Sequence, residues 1–209
     1  MSTKTDPKLP DPGNAPSANF ADFQLDPKIL KAVEEQGYTQ ATPIQAKAIP
    51  VVLEGRDVMG AAQTGTGKTA AFTLPIIQKL LPQANTSTSP ARHPIRALIL
   101  TPTRELSDQV ADNASLYAKF TDLRTAVVFG GVDIKPQTAL LRSGVEILIA
   151  TPGRLLDHIT SKTADLSQVQ LLVLDEADRM LDMGFLPDLQ RIINLIPVRN
   201  QIDNALQIG

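Results

Sequence analysis

Five short apolar runs divide the chain, and between them apolar residues recur at helical spacing. The runs are Val58–Ala62, Ala97–Leu100, Ala126–Phe129, Ile147–Ala150 and Leu171–Leu174. Because runs that are apolar at every position suit strands buried on both faces, they indicate a parallel sheet. Amphipathic helices are predicted near 68–81, 104–119, 135–142, 153–161 and 186–195. The alternation predicts an α/β fold with a mostly parallel, twisted sheet and helices on both of its faces.

The two ends of the chain depart from this pattern. Residues 1–19 carry four prolines among small polar residues, which predicts a flexible arm followed by one domain over 20–209. Asp26 and Pro27 are suited to begin a helix, which Gly37 would close. After Asp178 the pattern predicts one continuous helix through Ile193.

Composition excludes several classes of protein. Apolar residues make up 43% of the 209 positions, enough to fill a core, and the formal charge is −2. Any polyanion must therefore be held by a local group of residues rather than by a general cationic field. The absence of cysteine excludes disulfides and thiolate metal sites. With no secretory signal and no apolar run of membrane-spanning length, we expect a cytoplasmic protein without membrane contact. His93 and His158 are predicted to lie at the surface.

The segment after the first run has the composition of a phosphate-binding loop. Its glycines allow backbone N–H groups to turn inward around phosphate oxygens, and the helix N-terminus behind them favours an anion. Lys68 is suited to the β- and γ-phosphates, and the Thr69 hydroxyl to Mg²⁺. A glycine-rich turn with a solvated lysine is the less favoured alternative. The predicted nucleotide-binding residues are Ala62, Gln63, Thr64, Gly65, Thr66, Gly67, Lys68 and Thr69.

The last apolar run leads into acidic residues. Asp175 follows Leu174 at the predicted strand tip, where it could hold Mg²⁺ through the water shell of the metal. Glu176 could orient and deprotonate an attacking water. An acidic helix N-terminus without a chemical role is an equal alternative for this segment alone. Its combination with the phosphate loop favours the catalytic interpretation.

Residues 37–45, upstream of the loop, are candidates for binding a base. The Gln45 amide can donate to adenine N7 and accept from the exocyclic amine, while guanine would lose one of these bonds. Tyr38 could stack on the base. Taken alone, Tyr38 as a packing residue and Gln45 as an exposed helical residue are the favoured alternatives.

The other strand ends carry small and basic residues that suit a sugar-phosphate chain. Residues 151–154 (threonine, proline, glycine and arginine) suit a helix N-terminus that is open to a phosphate. Residues 103–104, a threonine and an arginine before a predicted helix, suit the same arrangement. Such contacts carry no base sequence. An ordinary capped helix and a flexible turn are the favoured alternatives for each segment in isolation. The residues concerned are Pro102, Thr103, Arg104, Gly130, Gly131, Thr151, Gly153 and Arg154.

Together and in this order, these segments resemble the motifs of the DEAD-box family of ATP-dependent RNA helicases. The resemblance covers roughly 20–197, and its nearest group is the bacterial RhlE-like branch. Ala62 stands where the general phosphate-loop pattern has a glycine, a position at which the family tolerates alanine. The matching segments are Gly37–Gln45 (Q motif), Ala62–Thr69 (motif I), Pro102–Leu106 (Ia), Gly130–Gly131 (GG), Thr151–Arg154 (Ib) and Asp175–Asp178 (II).

The resemblance implies a single RecA-like P-loop domain that binds ATP and Mg²⁺ and is stimulated by RNA. Tyr38, Thr42 and Gln45 would contact the adenine side of the nucleotide. The implied catalytic residues are Lys68, Asp175 and Glu176, and the implied metal-binding residues are Thr69 and Asp175.

The sequence also departs from the family. The helicase core of the family has two such domains, whereas only one is evident here, and the chain has no Ser-Ala-Thr triplet, the motif III of the family. Arginines that complete the site from the second domain contribute on the order of 10³–10⁵ in rate. We therefore expect this chain to be a weakly active monomer by itself. A non-catalytic nucleotide- or RNA-binding module, or a P-loop ATPase acting on DNA or protein, are the alternatives.

Overall fold

The computed structural model describes residues 18–60, 65, 67–197 and 205–208, the last of these by their backbone alone. The predicted arm therefore lies almost wholly outside the described residues, as do four residues of the predicted phosphate loop: Ala62, Gln63, Thr64 and Thr66.

The described strands form one parallel sheet with the order β1-β6-β5-β2-β4-β3. Since Leu100 is in register with both Ala150 and Leu174, three central strands end level with one another. The residues that follow these strands therefore meet at one edge of the sheet, which we call the carboxyl edge. The strands are β1 (Val58–Gly60), β2 (Ala97–Leu100), β3 (Thr125–Val128), β4 (Ile147–Ala150), β5 (Leu171–Asp175) and β6 (Ala205–Ile208).

Helices cover both faces of this sheet, as the α/β prediction requires. The side chains of β2 alternate between the two cores, with Ile99 packed on one face and Leu98 on the other. The first core contains residues of α1–α4 and the second contains residues of α5–α8. Every helix in the described residues is too short or too polar to cross a membrane. The helices are α1 (Pro27–Glu35), α2 (Pro43–Leu53), α3 (Lys68–Leu80), α4 (Arg104–Ala118), α5 (Ile134–Arg142), α6 (Pro152–Thr160), α7 (Ala177–Asp182) and α8 (Leu186–Ile193).

Three elements differ from the prediction. The single helix expected after Asp178 is wrong, because the chain turns at Gly184, whose φ of +83° belongs to the left-handed region, and forms α7 and α8 separately. Helix α2 was not predicted, since Pro50 within it is a residue that usually breaks helices. Strand β6 was not predicted either. It pairs with β1 and β5, so a strand occupies this place without a Ser-Ala-Thr triplet.

Candidate functional site

A cleft of about 360 Å³ opens at the carboxyl edge between the beginning of α3 and the end of β5. Gly65 and 67–69 line one side, and Asp175 and Glu176 line the other. The phosphate-loop glycines and the acidic pair, 108 or more positions apart in the sequence, are thus brought to one cavity. The cleft joins the residue types needed for a phosphate chain and a divalent cation.

Gly67 is the position in the described part of the loop that most requires glycine. It caps α3 with a φ of +86°, a conformation that other residues adopt only with strain. A Cβ atom at Gly67 would also overlap the side-chain amide of Gln45 and lie 3.1 Å from the Thr42 hydroxyl oxygen. The N–H groups of the first turn of α3 lack helical partners and provide donors for an anion.

The Gln45 side chain connects the start of α2 to the phosphate loop. It is only 6% exposed, its Oε1 accepts from the Thr42 backbone N–H at 2.9 Å, and its Nε2 donates to the Gly67 carbonyl at 3.1 Å. The Thr42 hydroxyl in turn caps the Gln45 backbone N–H at 3.5 Å. The amide retains one further donor and one further acceptor, which are available to a ligand.

The solvent exposure of Tyr38 and Gln45 argues against the alternatives to base binding, which expected a packed Tyr38 and an exposed Gln45. Tyr38 is 52% exposed and lines the cleft, so it is not a packing residue, while Gln45 is buried rather than exposed. Tyr117, also on the cleft wall, is buried, and this burial, followed by the proximity of Tyr38, raises its pKa to about 12. Both the exposed ring and the neutral buried ring suit a planar, uncharged group.

Asp175 is a buried carboxyl group at the end of β5 that forms no ion pair within 4 Å among the described residues. It is 3% exposed, and burial raises its pKa to about 6, assisted by the nearby Glu176 and opposed by Lys68 and by the Glu176 backbone N–H. Such a carboxylate is stabilised by a divalent cation. With the Thr69 hydroxyl in the same cleft, the residues present fit Mg²⁺, which takes few protein oxygens and keeps water and phosphate ligands.

Glu176 is held in an unusual backbone conformation beside Asp175. Its φ of 52° places a non-glycine residue in the left-handed region. Its Oε2 accepts from Arg179 at 3.1 Å, while Oε1 is free of described partners. A side chain that is oriented by its neighbours and keeps one free oxygen is suited to accept a proton.

The predicted RNA-binding residues lie on loops and in the first turns of α4 and α6, at the same edge. The Arg104 guanidinium lies 5.3 Å from the centre of the Phe129 ring, and Arg154 Nη2 donates to the Val132 carbonyl at 2.9 Å. The Arg154 side chain is 11% exposed and its Nη1 is buried without a hydrogen-bond partner. An anion near Arg154 would satisfy this donor.

The other predicted RNA-binding residues differ in how much space and which hydrogen-bonding groups they leave for a ligand. A Cβ atom at Gly130, Gly131 or Gly153 would meet nothing within 4 Å, so the space beside these glycines is open. Thr103 caps α4 through its hydroxyl, at 3.3 Å from the Leu106 N–H, whereas Thr151 caps α6 without a side-chain bond. Pro102 is buried.

Comparison with known proteins agrees with this geometry. Residues 42–206 match the family model described as "DEAD/DEAH box helicase". The chain belongs to this family.

Three similar members of the DEAD/DEAH box family are bacterial. The chain is 46% identical over 182 residues to ATP-dependent RNA helicase CshA of Listeria monocytogenes, covering 87% of this chain and 34% of the relative. It is 46% identical over 184 residues to DEAD-box ATP-dependent RNA helicase RhpA of Helicobacter pylori, covering 88% and 36%. It is 46% identical over 178 residues to ATP-dependent RNA helicase RhlB of Shewanella frigidimarina, covering 85% and 41%.

The chain thus spans between 34% and 41% of the length of these three relatives. The narrower assignment to an RhlE-like branch stays a prediction.

Sequence reasoning missed one wall of the cleft in this DEAD/DEAH box protein. Leu106, Gln109, Asn113 and Tyr117 line it from α4. Their spacing of three and four residues places them on one helix face that begins at the end of the predicted motif Ia, so this spacing was the signal available. They were missed because the predicted site consisted of the strand ends and of residues 37–45, whereas these residues lie along the body of a helix.

Proposed function

We propose that this chain binds ATP and Mg²⁺ in the cleft and hydrolyses ATP as the N-terminal RecA-like domain of an RNA-dependent ATPase that remodels RNA. The observation that carries the proposal is the meeting of Lys68 and Thr69 with Asp175 and Glu176 in one cavity. Family membership and the names of the relatives, which are ATP-dependent RNA helicases, support it.

The first step is phosphate binding by the loop before α3. The free N–H groups of the first turn and the Lys68 ammonium group would hold the β- and γ-phosphates. Lys68 is already close enough to Asp175 to lower the pKa of that carboxyl against the effect of burial. It would exchange this carboxylate for phosphate oxygens when nucleotide enters.

The second step is attack by water on the γ-phosphate. The Thr69 hydroxyl and Asp175 would hold Mg²⁺, which supplies charge neutralisation on the phosphates when bound. Glu176 would orient the water and take its proton on Oε1, since Oε2 is engaged by Arg179.

Base selection would come from residues 38–45. The exposed Tyr38 ring would stack on adenine, and the remaining donor and acceptor of the Gln45 amide would bond to N7 and the exocyclic amine. Since the same amide is bonded to the Gly67 carbonyl, base binding would be coupled to the shape of the phosphate loop.

RNA would lie along the loop that carries Gly130 and Gly131 and along the first turns of α4 and α6, which carry Arg104, Gly153 and Arg154. Contacts from these segments reach a sugar-phosphate chain and would bind RNA without reading its sequence. Residues 20–209 would form one domain, and arginines brought to the cleft by a second such domain would raise turnover on the order of 10³–10⁵.

The test is nucleotide binding by Lys68→Ala, with exposed Lys162→Ala as the matched loss of one positive charge. ATP binding is measured by isothermal titration calorimetry, once in the presence of Mg²⁺ and once in EDTA. Lys68→Ala should abolish the binding of ATP, whereas Lys162→Ala should retain it. Retention of ATP affinity by Lys68→Ala would refute the proposed site. Comparing the stimulation of hydrolysis by single-stranded RNA and DNA distinguishes the RNA proposal from a DNA-dependent ATPase.

A further inference from the structure

The segment that carries Gly130 and Gly131 is held at both of its ends by side chains that donate hydrogen bonds to its backbone carbonyls. Gln137 on α5, which is 8% exposed, donates from Nε2 to the Phe129 carbonyl at 3.0 Å. At the other end, Arg154 on α6 donates to the Val132 carbonyl at 2.9 Å. The two glycines lie between these anchors.

The orientation of the Gln137 amide follows from its partners. A carbonyl oxygen only accepts, so the nitrogen of the amide must face Phe129 and Oε1 must face away. His158, which is completely buried, places Nε2 at 3.3 Å from this Oε1. His158 Nε2 must therefore carry a proton and donate it.

The other side of the His158 ring agrees with this assignment. Its Nδ1 lies 3.4 Å from the Thr163 hydroxyl oxygen, and this hydroxyl also donates to the His158 backbone carbonyl at 3.1 Å. Burial, followed by the charge of Arg154, lowers the pKa of His158, so the ring is neutral. The hydrogen bonds thus run from His158 Nε2 through Gln137 to the Phe129 carbonyl.

The geometry makes α6 a common support for the glycine segment. Arg154 and His158 are one helical turn apart and lie on the same face, so one holds Val132 directly and the other holds Phe129 through Gln137. No described residue accepts a hydrogen bond from the backbone N–H of Gly130 or Gly131. Two free donors on a segment anchored at both ends are suited to phosphate oxygens.

We propose that Gln137, oriented by His158, is a positioning residue that fixes Gly130 and Gly131 in the conformation that binds the RNA backbone. The proposal rests on the proposed RNA-binding function of this edge. Gln137 does not contact RNA. It acts by limiting the motion of the Phe129 carbonyl, from which the glycine segment begins.

The variants separate this role from a general contribution to folding. Gln137→Leu and His158→Leu each remove the connection at similar volume, and His158→Gln places an amide donor near the position of Nε2. Gln170→Leu is the matched control, because Gln170 also makes a side-chain amide bond, to Gln83 Oε1 at 3.2 Å, outside the RNA-binding loops.

The first measurement is the backbone ¹⁵N order parameter at 130–132, by NMR relaxation of the ligand-free chain. Gln137→Leu and His158→Leu should lower this order parameter relative to wild type, because the segment loses its anchor at Phe129, while Gln170→Leu should not. Unchanged order parameters at these residues in Gln137→Leu would overturn the proposal whatever the RNA results.

The second measurement is the affinity for a labelled single-stranded oligouridine, by fluorescence anisotropy with Mg²⁺ and a non-hydrolysable ATP analogue. Gln137→Leu and His158→Leu should each weaken RNA binding about tenfold, and the double variant should weaken it no further. His158→Gln should bind RNA nearly as tightly as wild type. The affinity for ATP should stay constant in all of these variants. Wild-type RNA affinity in Gln137→Leu, with loss in Arg154→Ala, would overturn this inference alone. Wild-type RNA affinity in Arg154→Ala would instead refute the RNA-binding edge, and the inference with it.

Discussion

Replacing Asp175 with asparagine should stabilise the nucleotide-free protein at neutral pH. Burial is the main cause that raises the pKa of this carboxyl from 3.8 to about 6 in the folded state. A raised pKa means that the folded state binds the proton more tightly than the unfolded state. The free energy of unfolding of wild type therefore falls as the pH rises from 3.8 to 6, and is constant above that range.

The size of the effect follows from this difference. At about 1.36 kcal/mol per pKa unit, the buried charge costs the folded protein about 3 kcal/mol at pH 7.5. An asparagine side chain has nearly the same shape as aspartate and never ionises, so Asp175→Asn should recover most of this free energy. For a chain of this size, 1 kcal/mol changes the melting temperature by roughly 2–4 °C, which gives an increase of about 6–12 °C.

The assay is thermal unfolding in EDTA between pH 4 and 8, with Asp178→Asn as the control for loss of an exposed carboxylate in the same segment. The advantage of Asp175→Asn should be near zero at pH 4, grow up to pH 6 and then level off. An advantage independent of pH, or a less stable variant at pH 7.5, would refute the reasoning. Saturating ATP with Mg²⁺ should stabilise wild type and leave Asp175→Asn almost unchanged, because the variant loses the proposed metal-binding oxygen.

Three further substitutions test other parts of the structure. Gly67→Ala should abolish ATP binding in titration, since the added Cβ overlaps the Gln45 amide and requires a φ of +86°; normal affinity would contradict the loop geometry. Gln45→Ala should weaken ATP binding more than GTP binding in the same assay, and an equal loss would assign the amide to the loop alone. His93→Leu should lower the free energy of unfolding in urea by about 3–5 kcal/mol, because the buried Glu146 carboxyl loses its side-chain partner and keeps only the Arg124 backbone N–H. Replacing both His93 and Glu146 with leucine should recover much of this loss of stability. If the losses of the two single variants instead add up in the double variant, the two side chains do not act as a pair.

The sheet was predictable because most of its strands are visible in the local pattern. Ala97–Leu100 and Ile147–Ala150 are apolar at every position, and the structure has them as strands with these same bounds. Strand β6 was not predictable in this way, since Gln207 interrupts its apolar character and its position depends on pairing with β1 and β5. Pairing partners distant in the sequence are not visible in a local pattern.

The buried histidines show the same limit for polar residues. The prediction that His93 and His158 lie at the surface was wrong, as they are 1% and 0% exposed. His93 Nδ1 lies 2.5 Å from Glu146 Oε1, a residue 53 positions away, and Nε2 lies 2.7 Å from the Ser87 carbonyl. A polar group can be buried when its partners are supplied by the fold. The composition of the chain does not indicate which residues become those partners.

Gln45 illustrates how a site residue can serve the fold and the chemistry together. The sequence suggested an amide that reads a base, and the structure adds that the same amide caps the start of α2 and bonds to the Gly67 carbonyl. These roles need not compete, because a glutamine amide has two donors and two acceptor lone pairs and the fold uses one of each. A base that occupies the other pair would hold the amide in its present orientation, and so would favour the loop conformation in which Gly67 and Lys68 begin α3. Adenine recognition and phosphate binding would then stabilise each other through one side chain, which is why the loss of ATP selectivity in Gln45→Ala should come with weaker binding of the triphosphate.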